Sequence, residues 1–223
     1  MNIVETIRNR KSIRKFKSDP IPKEVLKEIL EIAGQAPSAL NTQPWEFTVI
    51  AGDVLENVKK GNLEMLNAGV SPSAEFSVVE WAYESVYRER QVGLAMQLFK
   101  LMGIDRKNKE QRTKWAQRGF RFFDAPAVII LSSDRTLPEA APALDIGAVM
   151  QTICLAAMHY KLGTCIENQG VMYPHIVRKF ADISEERRMI TSIAIGYPDP
   201  DFPANQIVTE RAPVDSITKW CGM

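Results

Sequence analysis

Residues 8–17 read RNRKSIRKFK, with six basic side chains in ten positions. Arg10, Ser12 and Arg14 are spaced i, i+2, i+4. In an extended chain that spacing puts them on one face, with Lys11 and Ile13 on the other. Two guanidinium forks flanking a hydroxyl suit a phosphate, because each fork can hold two oxygens at once. Arg211, near the C-terminal end, is a third guanidinium of the same kind. A solvated basic run and a nucleic-acid arm are the competing readings of these residues. The balanced charge and the lack of a second basic cluster interleaved with aromatics weigh against the nucleic-acid arm.

A second stretch, GQAPSALNTQPWEF over residues 34–47, carries more than a connector needs. Pro37 fixes the exit from the preceding helix, and Pro44 forces an extended entry into a strand anchored by Trp45. Between them Ser38, Ala39, Asn41 and Gln43 offer short side chains and backbone that can meet a flat or partly desolvated surface. Other chemistries are missing. The chain contains no GxGxxG, no GxxxxGK[ST], no GxSxG and no HExxH. His159 and His175 have no metal-ligand spacing to each other or to a cysteine, so a zinc site is not expected. With so thin an acid–base vocabulary, any enzymatic chemistry is expected to come from a bound cofactor, and no protein side chain is singled out as catalytic.

These residues must be positioned by a chain of 223 residues with 45% apolar and 25% charged side chains and a formal charge of +1. That size favours one domain with elaborations, able to bury roughly 70% of its unfolded surface. Three scattered cysteines (Cys154, Cys165, Cys221) read as reduced thiols, and Cys165 as a small buried hydrophobe. The start MNIVETIRNRKSIRKF lacks an apolar stretch, and no run of about 18 apolar residues occurs. The expectation is a cytoplasmic protein without membrane or nucleic-acid partners. A short helix is expected at Ile3–Ile7. A longer one over PKEVLKEILEIA has Pro22 at its first position, and Val25, Leu26, Ile29, Ile32 and Ala33 form one face. A strand follows at WEFTVIA, then a short helix that Asp53 caps. Residues 61–119 read as a helical insertion or lid, helical across residues 76–104. APAVIILSS is expected as a central strand. LDIGAVMQTICLAAMHYKLG is a core or interface helix whose first turn holds Asp145. TCIENQG is a connector, a short helix begins at Pro174, and RMITSIAIGYP is the last core strand. From Pro198 the proline-rich tail (198–223) must run extended along something or be disordered. Irregular interleaving of strands and helices favours α+β.

Taken in order, RNRKSIRKF, APSALNTQPWEF, FFDAPAVIIL, LDIGAVMQTICLAAMHYKLGTC, IAIGYP and TERAP resemble the FMN-dependent nitroreductase family over nearly the whole chain. The insertion is similar to that of the branch containing bacterial nitroaromatic (nitrobenzoate-type) reductases. The resemblance implies a mixed or antiparallel sheet flanked by helices. It also implies a homodimer whose C-terminal tails are exchanged, with FMN at the subunit interface. NADH or NADPH would reduce the flavin, and a small electron-poor acceptor such as a nitroaromatic or quinone would then take the electrons. Carried over by position, Arg10, Ser12, Arg14 and Arg211 would hold the phosphate and ribityl end, with Lys11 or Arg10 near the flavin's N1/O2 edge. Pro37, Ser38 and Ala39 would pack on the flavin of the neighbouring subunit, and Asn41 and Gln43 would serve the ring edge or the dimer seam. Gln169 and Gly170 lie in the loop whose backbone N–H would face flavin N5, with Asn168 the alternative to Gln169. Tyr83, Arg88 and Phe120 are the acceptor-pocket residues expected from the insertion, with ordinary packing as the competing reading. Thr209 departs from the family, which often has a basic residue there. A dehalogenase, an azoline- or flavin-oxidising enzyme, and a non-enzymatic flavin binder are the alternatives on this scaffold.

Overall fold

The computed structural model describes residues 2–77 and 81–223. Its centre is a four-stranded, all-antiparallel sheet of β1 (Glu46–Ala51), β2 (Ala127–Asp134), β3 (Gly163–Glu167) and β4 (Arg187–Gly196), in the order β1-β2-β4-β3. The two unbroken apolar runs take the central places, where both faces must be covered. Ile129, Leu131, Ile193 and Ile195 face one layer, and Val128, Ile130 and Ala194 face the other. On the first face lie α2 (Lys23–Ala33) and α6 (Ala141–His159). On the second lie α3 (Gly52–Asn67) and α7 (Pro174–Ala181), joined through Leu55, Val58 and Val177. The resulting three layers are the α+β architecture that the sequence implies.

Several expected boundaries differ. The segment read as a connector, TCIENQG, supplies β3 over its first residues; its strand character comes from pairing with β4 and not from its own short pattern. The expected start of the insertion at residue 61 falls inside α3, which runs to Asn67. Gly61 there packs so closely on Ile176 that an added Cβ would sit 2.6 Å from it. In α2 the expected apolar face is buried through Leu26, Ile29 and Ala33, while Ile32 at its margin is 42% exposed. Asp145 lies beyond the first turn of α6 and accepts from the Ala39 N–H at 3.2 Å and 3.3 Å, so it anchors a loop rather than capping a helix. Among the described residues α6 is the one helix long and apolar enough to cross a bilayer, yet Ile146, Val149, Ile153 and Ala157 on one side of it pack onto the sheet.

The remaining helices are short or peripheral. α1 (Ile3–Asn9) is closed by a reciprocal capping box in which Asn2 and Glu5 each accept the other's backbone N–H at 3.0 Å. The insertion consists of α4 (Val86–Leu101) and α5 (Lys109–Phe120), capped by Ser85 and Asn108. Of the helical pattern expected across residues 76–104, positions 78–80 lie outside the described residues, and α4 begins only at Val86. The approach to the insertion is pinned. Glu75 receives both its oxygens' bonds from Arg178 Nη2 at 2.8 Å, and it also pairs with Arg135 and accepts the Met189 N–H at 2.8 Å. Beyond Pro198 the tail is mostly irregular, but it is held. Phe16 bridges to Pro198, and Ala204 and Ile207 are buried against Leu98 of α4.

Candidate active site

The basic segment is fixed as an extra strand-like edge beside β3. Ser12 bridges to Thr164 in parallel, and the Ile13 N–H donates to the Thr164 carbonyl at 2.9 Å. Ile13 drops into the core against Gly163, where a side chain would collide with it at 2.5 Å. That anchoring turns Arg10, Ser12 and Arg14 outward into one cavity of about 680 Å³. Lys11 lines the same cavity, so the strict alternation expected for it does not hold; the chain leaves α1 through Arg10 and becomes edge-like only at Ser12.

The other side of the cavity is the tail, with Thr209, Glu210 and Arg211. One buried side chain brings tail and basic segment together. Asn205, 3% exposed, accepts the Arg14 N–H at 2.6 Å and donates to the carbonyls of Lys15 and Asp199, each at 2.8 Å. Arg118, from α5, donates to the Arg14 carbonyl at 2.9 Å, pairs with Asp124 at 3.2 Å and stacks 4.8 Å above the Phe202 ring. Burial alone would raise the Asp124 carboxyl. The hydrogen bond and charge of Arg121, with Arg118 and Lys15, outweigh it and hold Asp124 below its ordinary value. The backbone that carries Arg14 is therefore bonded to both the insertion and the tail.

The donors of this cavity are unequally engaged. Arg211 Nη1 is taken up by the Thr209 hydroxyl at 2.8 Å and the carbonyls of Thr209 and Glu210. Arg14 Nη1 reaches the Ser12 carbonyl at 3.3 Å. Among the described residues, Arg10 has no ion-pair partner. A set of guanidiniums, an ammonium and a hydroxyl around one open cavity fits a phosphate monoester, which brings two negative charges and several acceptor oxygens.

The loop expected on the neighbouring flavin does not reach this cavity. Residues 37–43 sit over the start of α6 instead. Leu40, Asn41 and Gln43 adopt left-handed backbone, with φ of 51°, 59° and 47°. The Gln43 N–H donates to Ser38 Oγ at 3.0 Å, and its side-chain amide donates to the Asn41 carbonyl at 3.1 Å. Gln43 thus helps to shape the loop. At the loop's tip Leu40 is 99% exposed, and Leu144 on the adjoining helix is 79% exposed.

The turn after β3 is organised by Glu167, which the sequence reading quoted in IENQG without assigning it a role. Its carboxylate accepts the Gly170 N–H at 3.0 Å and the Ser192 hydroxyl at 2.8 Å, and the Gln169 N–H faces it too. Loss of water around Glu167 pushes its carboxyl up to about 7 despite those donors. The N–H of Gly170, in the loop expected to border a flavin, therefore points inward to this carboxylate. Gly170 itself is obligatory, since a Cβ would lie 2.0 Å from the fully buried Phe122 ring. Of the three insertion residues, Phe120 belongs to the core, 5% exposed and packed on Tyr173 with ring centroids 5.7 Å apart. Aromatics at helical spacing are usually buried this way, so its expected acceptor role is corrected. Tyr83 is 86% exposed, and Arg88 donates to Gln91 at 2.6 Å beside a separate groove of about 210 Å³. Burial pushes the Cys165 thiol up to about 12, which leaves it inert. His159 ends α6 and packs edge-on against Tyr160, and no cluster of metal-ligating side chains occurs among the described residues.

The chain is 31% identical over 221 residues to nitrobenzene nitroreductase of Ectopseudomonas oleovorans, covering 98% of this chain and 96% of that protein. Its backbone matches the FMN and NADPH-dependent nitroreductase NfnB of Sphigopyxis sp. strain HMH with a TM-score of 0.94 at 26% identity, over the full length of both chains. It matches the FMN-dependent nitroreductase NfnB of Mycobacterium smegmatis, solved in complex with NADPH, with a TM-score of 0.90 at 27% identity, over 98% and 97% of the two chains. The sequence profile of the nitroreductase family matches residues 7–197, from the last turn of α1 to the residue after β4, and the chain belongs to that family.

Proposed function

We propose that the protein is an FMN-dependent oxidoreductase that takes electrons from NADPH or NADH and reduces nitroaromatics, quinones or similar electron-poor small molecules. The observation that carries this reading is the cavity in which Arg10, Lys11, Ser12, Arg14 and Arg211, from the two ends of the chain, converge. FMN, when bound, supplies the two-electron relay between nicotinamide and acceptor, each of which visits in turn. Arg10, Ser12, Arg14 and Arg211 bind its phosphate. Lys11, at the rim, places a positive charge beside the ring edge that becomes electron-rich on reduction. Asn205 and Arg118 keep the Arg14 backbone in place. Glu167 fixes the turn 168–170 that borders the reacting face. Protons for the acceptor come from water.

The working unit is a homodimer. Leu40 and Leu144 project from one chain beside the 37–43 loop, and Val214, Ile217 and Trp220 of the tail are each more than half exposed. Apolar side chains left in water in such groups support coverage by a second copy. In that arrangement Pro37, Ser38 and Ala39 pack on the partner's flavin, Asn41 lies at the seam, and the tail beyond Pro213 is exchanged. Tyr83 and Arg88 border the acceptor pocket. The insertion, α4 with α5, acts as its lid within a single domain. Free thiols at Cys154, Cys165 and Cys221 suit a reducing compartment such as the cytoplasm. The test is spectroscopic. Protein reconstituted with FMN should show bound-flavin absorbance that NADPH or NADH bleaches and nitrobenzene or a quinone restores. Protein that takes up no FMN would overturn the proposal.

A further inference from the structure

The cavity has one more wall, and it comes from the insertion. Arg90, Gly93, Leu94 and Gln97 of α4 line it. Their spacing, i, i+3, i+4 and i+7, makes one continuous helix face. That face is oriented by packing, because Leu94 and Leu98 lie on Ala204 and Ile207 of the tail. Arg90 is exposed on it and, among the described residues, has no ion-pair partner. Among the described residues, Arg10 and Arg90 are thus the two cavity arginines with no ion pair or side-chain bond, whereas Arg14 and Arg211 are partly occupied by neighbouring acceptors.

Gly93 carries a second, independent observation. It sits in the middle of a 16-residue helix, where glycine is less favourable than alanine. Nothing among the described residues requires it, since a Cβ built there meets no atom within 4 Å. Gly61, Gly163 and Gly170 differ in this respect, because an added Cβ at each would collide with the chain's own side chains. Gly147 on α6 shares the open surroundings but is not part of the cavity lining. The open space in front of Gly93 is the cavity itself.

We infer that this face of α4 is a binding wall of the flavin site: Arg90 contacts the phosphate monoester of FMN, and Gly93 leaves room for the ligand to lie against the helix backbone. The inference rests on the flavin reading of the cavity. It makes the insertion part of the cofactor site as well as a cover for the acceptor. A phosphate gripped by residues 10–14, 90 and 211 joins three separate segments of the chain through one ligand.

The test uses FMN-free protein and measures the dissociation constants of FMN and of riboflavin, which lacks the phosphate, for wild type, Arg90→Gln and Gly93→Ala. Thermal midpoints are taken without ligand. Losing one charge-assisted contact should weaken FMN binding by about tenfold or more in Arg90→Gln and leave riboflavin unchanged. Gly93→Ala should raise the ligand-free midpoint, because the helix improves, and yet weaken FMN binding. FMN affinity unchanged in Arg90→Gln, or unchanged in a stabilised Gly93→Ala, overturns the inference. So does an Arg90→Gln effect confined to the KM for NADPH over NADH, which would assign Arg90 to the other phosphate monoester in the reaction. Wild-type protein that binds no FMN is a different result, and it sinks the flavin reading itself.

Discussion

Replacing Asn205 by alanine should cost far more than its position in an irregular tail suggests. Its amide closes three hydrogen bonds in a buried place: one from the Arg14 N–H at 2.6 Å, and two to the Lys15 and Asp199 carbonyls at 2.8 Å. At about 1 kcal/mol for each bond the loss is about 3 kcal/mol, and it grows if the Arg14 N–H stays dry and unpaired. The Lys15 carbonyl keeps the Asp199 N–H at 3.1 Å, which holds the sum near that figure. For a chain of this size such a loss lowers the thermal midpoint by about 6–12 °C. Asn205→Asp keeps the acceptor but sets an oxygen against two carbonyl oxygens, so it should cost at least as much near neutral pH. The assay is denaturant unfolding of FMN-free protein, paired with FMN titration. Because Asn205 bonds the backbone of Arg14 and not the ligand, FMN affinity should fall in both variants. A stability loss under about 1 kcal/mol in Asn205→Ala, or wild-type behaviour of Asn205→Asp, would refute the reasoning.

Other outcomes follow from the buried charges. Glu167 titrates near 7 in the folded chain against an ordinary 4.5, so between those values the folded state holds a proton that the unfolded state releases. Its contribution is full below about 4.5 and declines by no more than about 3 kcal/mol as pH rises to 7. Glu167→Gln should flatten that slope in denaturant melts taken from pH 5 to 8, and parallel profiles would count against it. Arg178→Ala leaves the Glu75 carboxylate with only Arg135 and the Met189 N–H and strands three carbonyls that Arg178 serves, those of Ile183, Ser184 and Arg187. It should cost about 3–5 kcal/mol by chemical denaturation. Burial would raise Glu75, but Arg178, the Met189 N–H and Arg135 together hold it below 4.5. Its stabilisation is therefore present above 4.5 and is lost as pH falls below that value. Acid unfolding of Glu75→Gln should accordingly be less steep than that of wild type.

What the sequence made legible was what is locally coded. The apolar runs of β2 and β4, the helix face of α2 through Leu26 and Ile29, and the proline starts of α2 and α7 each carry their own period or cap. The Arg10–Ser12–Arg14 spacing did bring three residues to one cavity, although the chain is edge-like only from Ser12 onward and Lys11 joins them. β3 was missed because a five-residue strand ending in a turn has no pattern of its own until β4 pairs with it. Asn205 and Arg118 were missed for a related reason: each acts on residues more than 100 positions away. Arg90 and Gly93 sit in a helix whose amphipathic pattern is weak, so nothing local marked their face. Residues 37–43 were legible as unusual, but one chain does not reveal what they face.

The bond between Arg14 and Asn205 spans 191 positions. A chain made from its N-terminal end therefore exposes its basic segment long before the partner that fixes it exists. The sheet core, complete at Gly196, is available earlier, so the flavin pocket should be the last part of the molecule to form. Nascent or prematurely terminated chains that end before residue 205 would fold a sheet and still be unable to hold cofactor. Saturation with flavin would then report full-length synthesis, and cofactor supply would act on finished chains and not on growing ones.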